Sequence, residues 1–208
     1  MVLPSLATVA DLAAILGRTF TPEQELQAQA LLDQASSVVR AYVRLDITKS
    51  TTTDTFALGW PDRGQHVVSD GCWRYGQVTL PQRPIEAVTS VKINGSASQD
   101  WWLDNDLLHV RSVPWLGPPG AHQPPQVEVT YTHGWDPVPG DIQAITLQAA
   151  NRVIVNPSGI RSETVGGIST TYLIPAVGEY LGVLLSRTEQ KVLDRYRRSA
   201  GSVRLRSV

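Results

Sequence analysis

The spacing of apolar residues changes twice along this chain, and that change constrains the fold more than any motif. Up to about residue 44 the spacing is helical: Ala28, Leu31, Leu32, Ala35, Val38, Val39 and Tyr42 recur at steps of three, four and one and form one stripe. From Ile47 to Thr132 hardly a helical stretch remains. After "GWDPVPGD" the helical period returns, with Ile142, Ile145, Ala149 and Val153 on one side of a helix expected to reach about Val155. Helical stripes at both ends need one another for burial, so the β-rich block reads as an insertion between packed helices. The expected fold class is α+β: a helical bundle of N- and C-terminal helices, an inserted antiparallel β-rich domain and an extended C-terminal tail. The expected boundaries are 1–45 for the N-terminal helices, 46–135 for the inserted domain, 136–198 for the C-terminal helices with their connecting strand, and 199–208 for the tail.

Local signals mark the ends of these elements. Thr8-Val9-Ala10-Asp11 and Ser186-Arg187-Thr188-Glu189 read as capping boxes, and Thr21-Pro22-Glu23-Gln24 starts the long helix with proline at the first helical position. Gly17 is placed to end the first helix, and the second should reach about Arg44. Asp141 is placed to cap the third helix, and Asn156-Pro157 ends it, because proline disfavours helical geometry in the residue before it. Val192, Leu193 and Tyr196 are expected to form the apolar stripe of the last helix.

Within the β block, "STTTDTFALGW" (50–60) is rich in β-branched residues, and "QVTLP" (77–81) follows glycine-rich turns. "VTSVKING" (88–95) ends in Asn94-Gly95, a hairpin signal. "DWWLDNDLLHVR" (100–111) predicts two short strands around an Asp104-Asn105-Asp106 turn. In "QVEVTYTHG" (126–134), Val127, Val129 and Tyr131 fall on one face. "PWLGPPGAHQPP" (114–125) reads as a surface loop. Short strands and dense turns predict a compact antiparallel sheet or sandwich. A further strand is expected near Ile168–Leu173, after a sharp turn at Gly166-Gly167.

Composition sets the outer limits. Apolar residues make up 42% and charged residues 18% of 208, ordinary for a chain that buries a core. The single cysteine, Cys72, excludes an intrachain disulfide. No apolar run reaches the ~18 residues needed to span a bilayer, and "MVLPSLATVADLAAILG" lacks the basic start of a signal peptide. The expectation is a soluble protein of a reducing cytoplasm. Charge is placed unevenly: residues 187–208 hold seven basic and two acidic residues, the rest eleven basic and seventeen acidic. An acidic body with a basic tail suggests a tail that docks on something acidic.

Catalytic and cofactor chemistry is largely absent from the sequence. There is no phosphate loop with its lysine and no G-x-S-x-G elbow. His66, His109, His122 and His133 are scattered, with no partner at metal-ligand spacing. "DNDLL" resembles the start of a calcium loop but lacks the glycine and the distal glutamate. No catalytic residue, metal site or cofactor is therefore assigned, and the chain is read as a non-enzyme; an uncharted hydrolase rests only on the fact that distant carboxylates can assemble in a fold. Trp60, Trp73, Trp101, Trp102, Trp115 and Trp135 lie in or beside the β block. Tryptophans on a β scaffold stack on sugars or anchor interfaces, so a carbohydrate-binding β-sandwich module is the alternative reading. Adjacent Trp101 and Trp102 must face opposite ways if extended, which points one of them toward an interface.

Four segments carry a resemblance: "ATVADLAAILGRTFTPEQELQAQALLDQASSVVRAYV" at 7–43, "VEVTYTHGWDPVPGDI" at 127–142, "NPSGIRSETVGGISTTY" at 156–172 and "LDRYRRSAGSVRL" at 193–205. In content and order they resemble the head–tail connector (head-completion adaptor) proteins of tailed bacteriophages, especially those of actinobacterial phages. The resemblance implies a virion protein at the phage neck, assembled in the host cytoplasm. It implies a dodecameric ring under the portal protein, extending the channel through which genomic double-stranded DNA passes without specific binding. A downstream neck protein, a head–tail stopper or tail terminator, docks below; no membrane is involved. The family's C-terminal segment inserts into the portal, which implies portal-binding roles for Arg195, Tyr196, Arg197, Arg198, Arg204, Leu205 and Arg206. A ring needs two different complementary faces on each subunit, and Arg161 with Glu163, Trp101 and Trp102 are the expected interface residues.

Overall fold

The computed structural model describes residues 3–57, 76–111, 125–156, 162–165, 168–171 and 183–197, the strands at 162–165 and 168–171 by their backbone. The chain divides into two compact units, one of residues 1–47 with 137–208 and one of 48–136. The fold is α+β, with antiparallel β-sheet between the second and third helices.

The first unit is helical. α1 spans Val9–Leu16 and α2 spans Pro22–Val43, each opened by a complete capping box, Thr8 with Asp11 and Thr21 with Gln24. Gly17 closes α1 at φ 61, the left-handed geometry that glycine adopts without strain. α2 buries Ala28, Leu32, Ala35, Ser36, Val39 and Val43, the expected stripe turned slightly so that a serine and the last valine are enclosed. α3, Gly140–Val155, buries Ile142, Ile145, Thr146, Leu147, Ala149 and Ala150. Alanines on both helices let α2 and α3 approach closely, around a cluster that also takes in Leu12, Leu32, Leu147 and Val183. α4 spans Arg187–Leu193 behind the Ser186–Glu189 capping box. Leu193 is buried, but Val192 is 37% exposed and belongs to the solvent side of α4, contrary to the stripe expected from spacing.

Asp141 does not cap α3. The N-cap position is Pro139, no side chain bonds the first turn, and the Asp141 carboxylate is engaged elsewhere. Ser36 shows why a polar residue sits in the buried face of α2: its Oγ accepts the N–H of Leu6 at 2.9 Å and donates to the Leu32 carbonyl at 2.6 Å. That one hydroxyl ties the segment before α1 to α2.

The second unit is a sandwich of two antiparallel sheets. β1 (Ser50–Ala57), β7 (Gln126–His133), β3 (Ile85–Ile93) and β4 (Ser96–Ser98) form one sheet in that order. β2 (Gly76–Thr79), β6 (Leu107–Val110) and β5 (Trp101–Asp104) form the other. One apolar cluster draws on both: Val78 and Leu80, Leu108 and Val110 from one side, Val91, Ile93, Val127, Val129 and Tyr131 from the other. Alternation along β7 puts Val127, Val129, Tyr131 and His133 inward, as the pattern predicts for the first three. The Tyr131 hydroxyl donates to Asp54 Oδ2 at 2.7 Å, so the buried ring has a partner for its polar end.

Turn chemistry matches the sequence. Asn94 (φ 49) and Gly95 (φ 82) both take positive φ between β3 and β4, the geometry of a tight hairpin. Asn105 (φ 58) turns the chain between β5 and β6. β3 begins at Ile85, earlier than alternation indicates, because two register shifts interrupt its pairing with β7. At the base of the unit a parallel bridge joins Thr48 to Trp135, with the Lys49 N–H on the Trp135 carbonyl at 3.1 Å.

β8 (Ser162–Val165) and β9 (Ile168–Thr171) pair as a two-stranded hairpin with Val165 opposite Ile168. The expected strand is therefore present as β9, and β8 is an addition that the sequence reading lacked. Gly166-Gly167, the loop at 114–125 up to residue 124, the link 174–182 and the tail 199–208 lie outside the described residues.

Candidate functional site

The sequence directs attention to the C-terminal segment, and the structure ties the start of that segment to the helical unit. α4 is fixed first. Arg152 of α3 makes two hydrogen bonds to the Glu189 carboxylate, Nη1 to Oε1 at 2.7 Å and Nη2 to Oε2 at 3.0 Å, and Nη2 also donates to the Leu184 carbonyl at 2.6 Å. Glu189 Oε2 accepts the Ser186 N–H at 2.7 Å as well, so one carboxylate serves both the helix cap and the inter-helix ion pair. Burial alone would raise the Glu189 pKa. The Arg152 hydrogen bonds, the Ser186 N–H and the Arg152 charge outweigh it and hold the carboxyl below its ordinary value.

The turn after α4 is held by two helices. Tyr42, one residue before the end of α2, donates its hydroxyl to Asp194 Oδ1 at 2.6 Å. The Arg197 guanidinium carbon lies 5.3 Å from the centroid of the same ring. The bond to Asp194, with burial and the aspartate charge behind it, holds the Tyr42 phenol above its usual pKa against the opposing influence of Arg197. On the other side, Tyr196 donates to both Asp141 oxygens, at 2.8 and 3.0 Å, and Arg195 pairs with the same carboxylate. Arg195 also lies over the Tyr196 ring, 4.8 Å from its centroid.

Of the seven residues implied for portal binding, Arg195, Tyr196 and Arg197 are brought together at this turn, each with a partner in its own subunit. Arg198, Arg204, Leu205 and Arg206 lie outside the described residues, as does Arg161. Glu163 stands opposite Thr170 in the β8–β9 hairpin. Tyr42, Asp141 and Asp194 are the residues that sequence reasoning missed here. They are 152 and 55 positions from their partners, beyond any local pattern.

In the β unit, Trp101 and Trp102 do point to opposite faces. Trp101 packs against the sandwich core, and Trp102 is 38% exposed. Trp102 stacks on its cross-strand neighbour His109, ring centroids 4.6 Å apart and planes 4° from parallel. Arg111 lies 5.0 Å from the Trp102 centroid, and Gln77 reaches the other edge of His109 at 3.4 Å. A row of polar and aromatic groups thus crosses the outer face of the three-stranded sheet. Among the described residues no cluster of three or more His, Cys, Asp or Glu is placed to hold a metal.

Solved structures supply the comparison. A chain in the virion of a native gene transfer agent (GTA) particle aligns over 93% of this chain and 91% of its own, at 17% identity and TM-score 0.53. A chain in the neck of the empty GTA particle, computed with C6 symmetry, aligns over 97% and 96% at 17% identity and TM-score 0.51. A chain in the neck of the native GTA particle, computed with C12 symmetry, aligns over 97% and 96% at 16% identity and TM-score 0.50. At these identities the likeness establishes a shared fold, spanning almost the whole of each chain. No protein-family model matches the sequence, and no curated protein does.

Proposed function

We propose that this chain is a structural head-to-tail adaptor of a tailed phage or phage-like particle. Copies close into a ring under the portal, extend the DNA channel and offer the docking surface for the neck or tail protein below. The observation that carries this reading is the shared fold with chains from particle necks, one computed with C12 symmetry, over 97% of the present chain. A twelvefold ring fits that symmetry. The order of sequence segments, the acidic body and the basic tail support the same reading. Negative charge along a conduit repels phosphates and lets DNA pass without sticking. The activity is assembly, with no bond made or broken.

Imaging of the particle tests the proposal. A closed annulus of this chain between portal and tail is the expected result; its absence from the neck, or its presence at the tail tip, would overturn it. Removing residues 198–208 should leave the fold intact and abolish attachment to portal assemblies.

The carbohydrate-binding alternative needs an open aromatic platform. Among Trp101, Trp102 and Trp135, Trp102 is the exposed one and the other two are half-buried, and the Trp102 ring is already stacked on His109 and flanked by Arg111. Tryptophan fluorescence against a glycan panel separates the two readings.

A further inference from the structure

The turn after α4 carries two cations of the C-terminal segment, yet both are engaged within the subunit. Arg195 shares Asp141 with Tyr196, and Arg197 lies over the ring that holds Asp194. The backbone is closed as well: the N–H groups of Tyr196 and Arg197 both bond the Leu193 carbonyl, at 2.9 and 3.2 Å. Leu193 itself is fully buried. To serve a partner, Arg195 would have to leave Asp141, and Arg197 would have to leave Tyr42. Beyond this point the sequence Arg198–Val208 carries Arg198, Arg204 and Arg206, no acid, and Leu205 between the last two cations.

We propose that Tyr42 and Asp141 are positioning residues for the C-terminal tail. They hold Arg195, Tyr196 and Arg197 on the subunit's own helices and fix where the tail leaves the body. The residues that meet the partner are Arg198, Arg204, Leu205 and Arg206, which fit a groove offering carboxylates and a small apolar slot. This rests on the adaptor reading, in which the tail docks on the portal. Physically, the clasp removes an ordering cost. Two rotamer-rich arginines and the chain between them are already fixed before docking, so less freedom is lost on binding. Asp141 lies in the first turn of α3, where the helix dipole favours a carboxylate, so the anchor is itself electrostatically placed.

A charge exchange distinguishes positioning from contact. In the full-length protein, Arg195→Asp and Asp141→Arg should each weaken co-sedimentation with purified portal assemblies by about tenfold. The double variant restores the pair with its charges reversed and should recover to within about threefold of the parent. If the double variant stays as weak as Arg195→Asp alone, Arg195 touches the portal and the proposal is wrong. A second series avoids charge reversal in the first turn of α3. Tyr42→Phe keeps the ring and loses the hydroxyl, and Tyr42→Leu loses both. Docking should weaken in that order, with faster amide exchange at Tyr196 and Arg197 and the helical circular dichroism of the native state retained. Tighter docking in either variant would mean that the clasp restrains the tail, and would equally overturn the assignment. Arg198→Ala with Arg204→Ala and Arg206→Ala probes the underlying reading separately. Undiminished portal binding there sinks the tail's role in the adaptor, whatever the exchanged pair does.

Discussion

The two units of this chain are held together in different ways. The β unit closes around aliphatic side chains contributed by both of its sheets, and its buried tyrosine finds a partner in a nearby strand. The helical unit packs small residues, Ala28, Ala35, Ala149 and Ala150, and depends on polar contacts between elements far apart in sequence. Ser36 ties down the N-terminal segment, Arg152 and Glu189 fix α4, and Tyr42 and Asp141 fix the turn beyond it. Apolar burial is insensitive to pH, whereas the Arg152–Glu189 pair rests on a carboxylate held below its ordinary pKa. The helical unit should therefore be the one whose stability follows acidity.

The molecule contains its own means of testing this. All six tryptophans lie between residues 60 and 135, in the sequence range of the β unit, and Trp101, Trp102 and Trp135 serve as its fluorescence reporters, while helical circular dichroism reports mainly on the other. The largest effect should come from Tyr131→Ala, which empties the centre of the sandwich and removes about 4 kcal/mol. The fluorescence transition in denaturant should move and the helical signal should not. If both move together, the two units unfold as one and the comparison fails.

Glu189→Gln comes next, at about 3 kcal/mol, because it leaves Arg152 without its charged partner. Here the helical signal should shift and the fluorescence stay. Its pH dependence has a definite sign. The folded-state pKa of Glu189 lies below its unfolded value, so the pair's stabilisation is fully present above the ordinary glutamate pKa of about 4.3 and is lost as pH falls through the lower folded value. Thermal melts should show the parent losing helical stability on acidification while Glu189→Gln, already weaker at neutral pH, changes less. Equal acid slopes would assign the titration to another group.

Ser36→Ala should cost the helical unit about 1–2 kcal/mol, since the buried Leu6 N–H then lacks its acceptor. Denaturant midpoints followed at 222 nm would reveal it. The smallest effect expected is from Thr21→Ala, about 1 kcal/mol, through loss of the cap on α2. A calorimetric midpoint unchanged within error would mean that Pro22 and Gln24 suffice to start that helix.

What the sequence discloses about this fold is what acts locally. The capping boxes at Thr8, Thr21 and Ser186 need only residues three apart, and the Asn94-Gly95 turn needs only its own two residues. Both kinds of signal appear in the structure where the pattern puts them. Asp141 illustrates the limit. Its place before an apolar run fits a cap, but a tyrosine 55 residues later claims the carboxylate. Glu189 was legible as a capping glutamate and not as the partner of Arg152, 37 residues earlier. Val192 went wrong because in so short a helix the spacing of three apolar residues does not define a face.

The bridge between Thr48 and Trp135 sets the chain's way into the β unit beside its way out. A module whose ends meet can be lengthened, shortened or exchanged without changing the gap its flanking helices must span. Residues 48–136 are in that sense a cassette, and the same helical frame can carry a different insertion by replacing the middle of the chain.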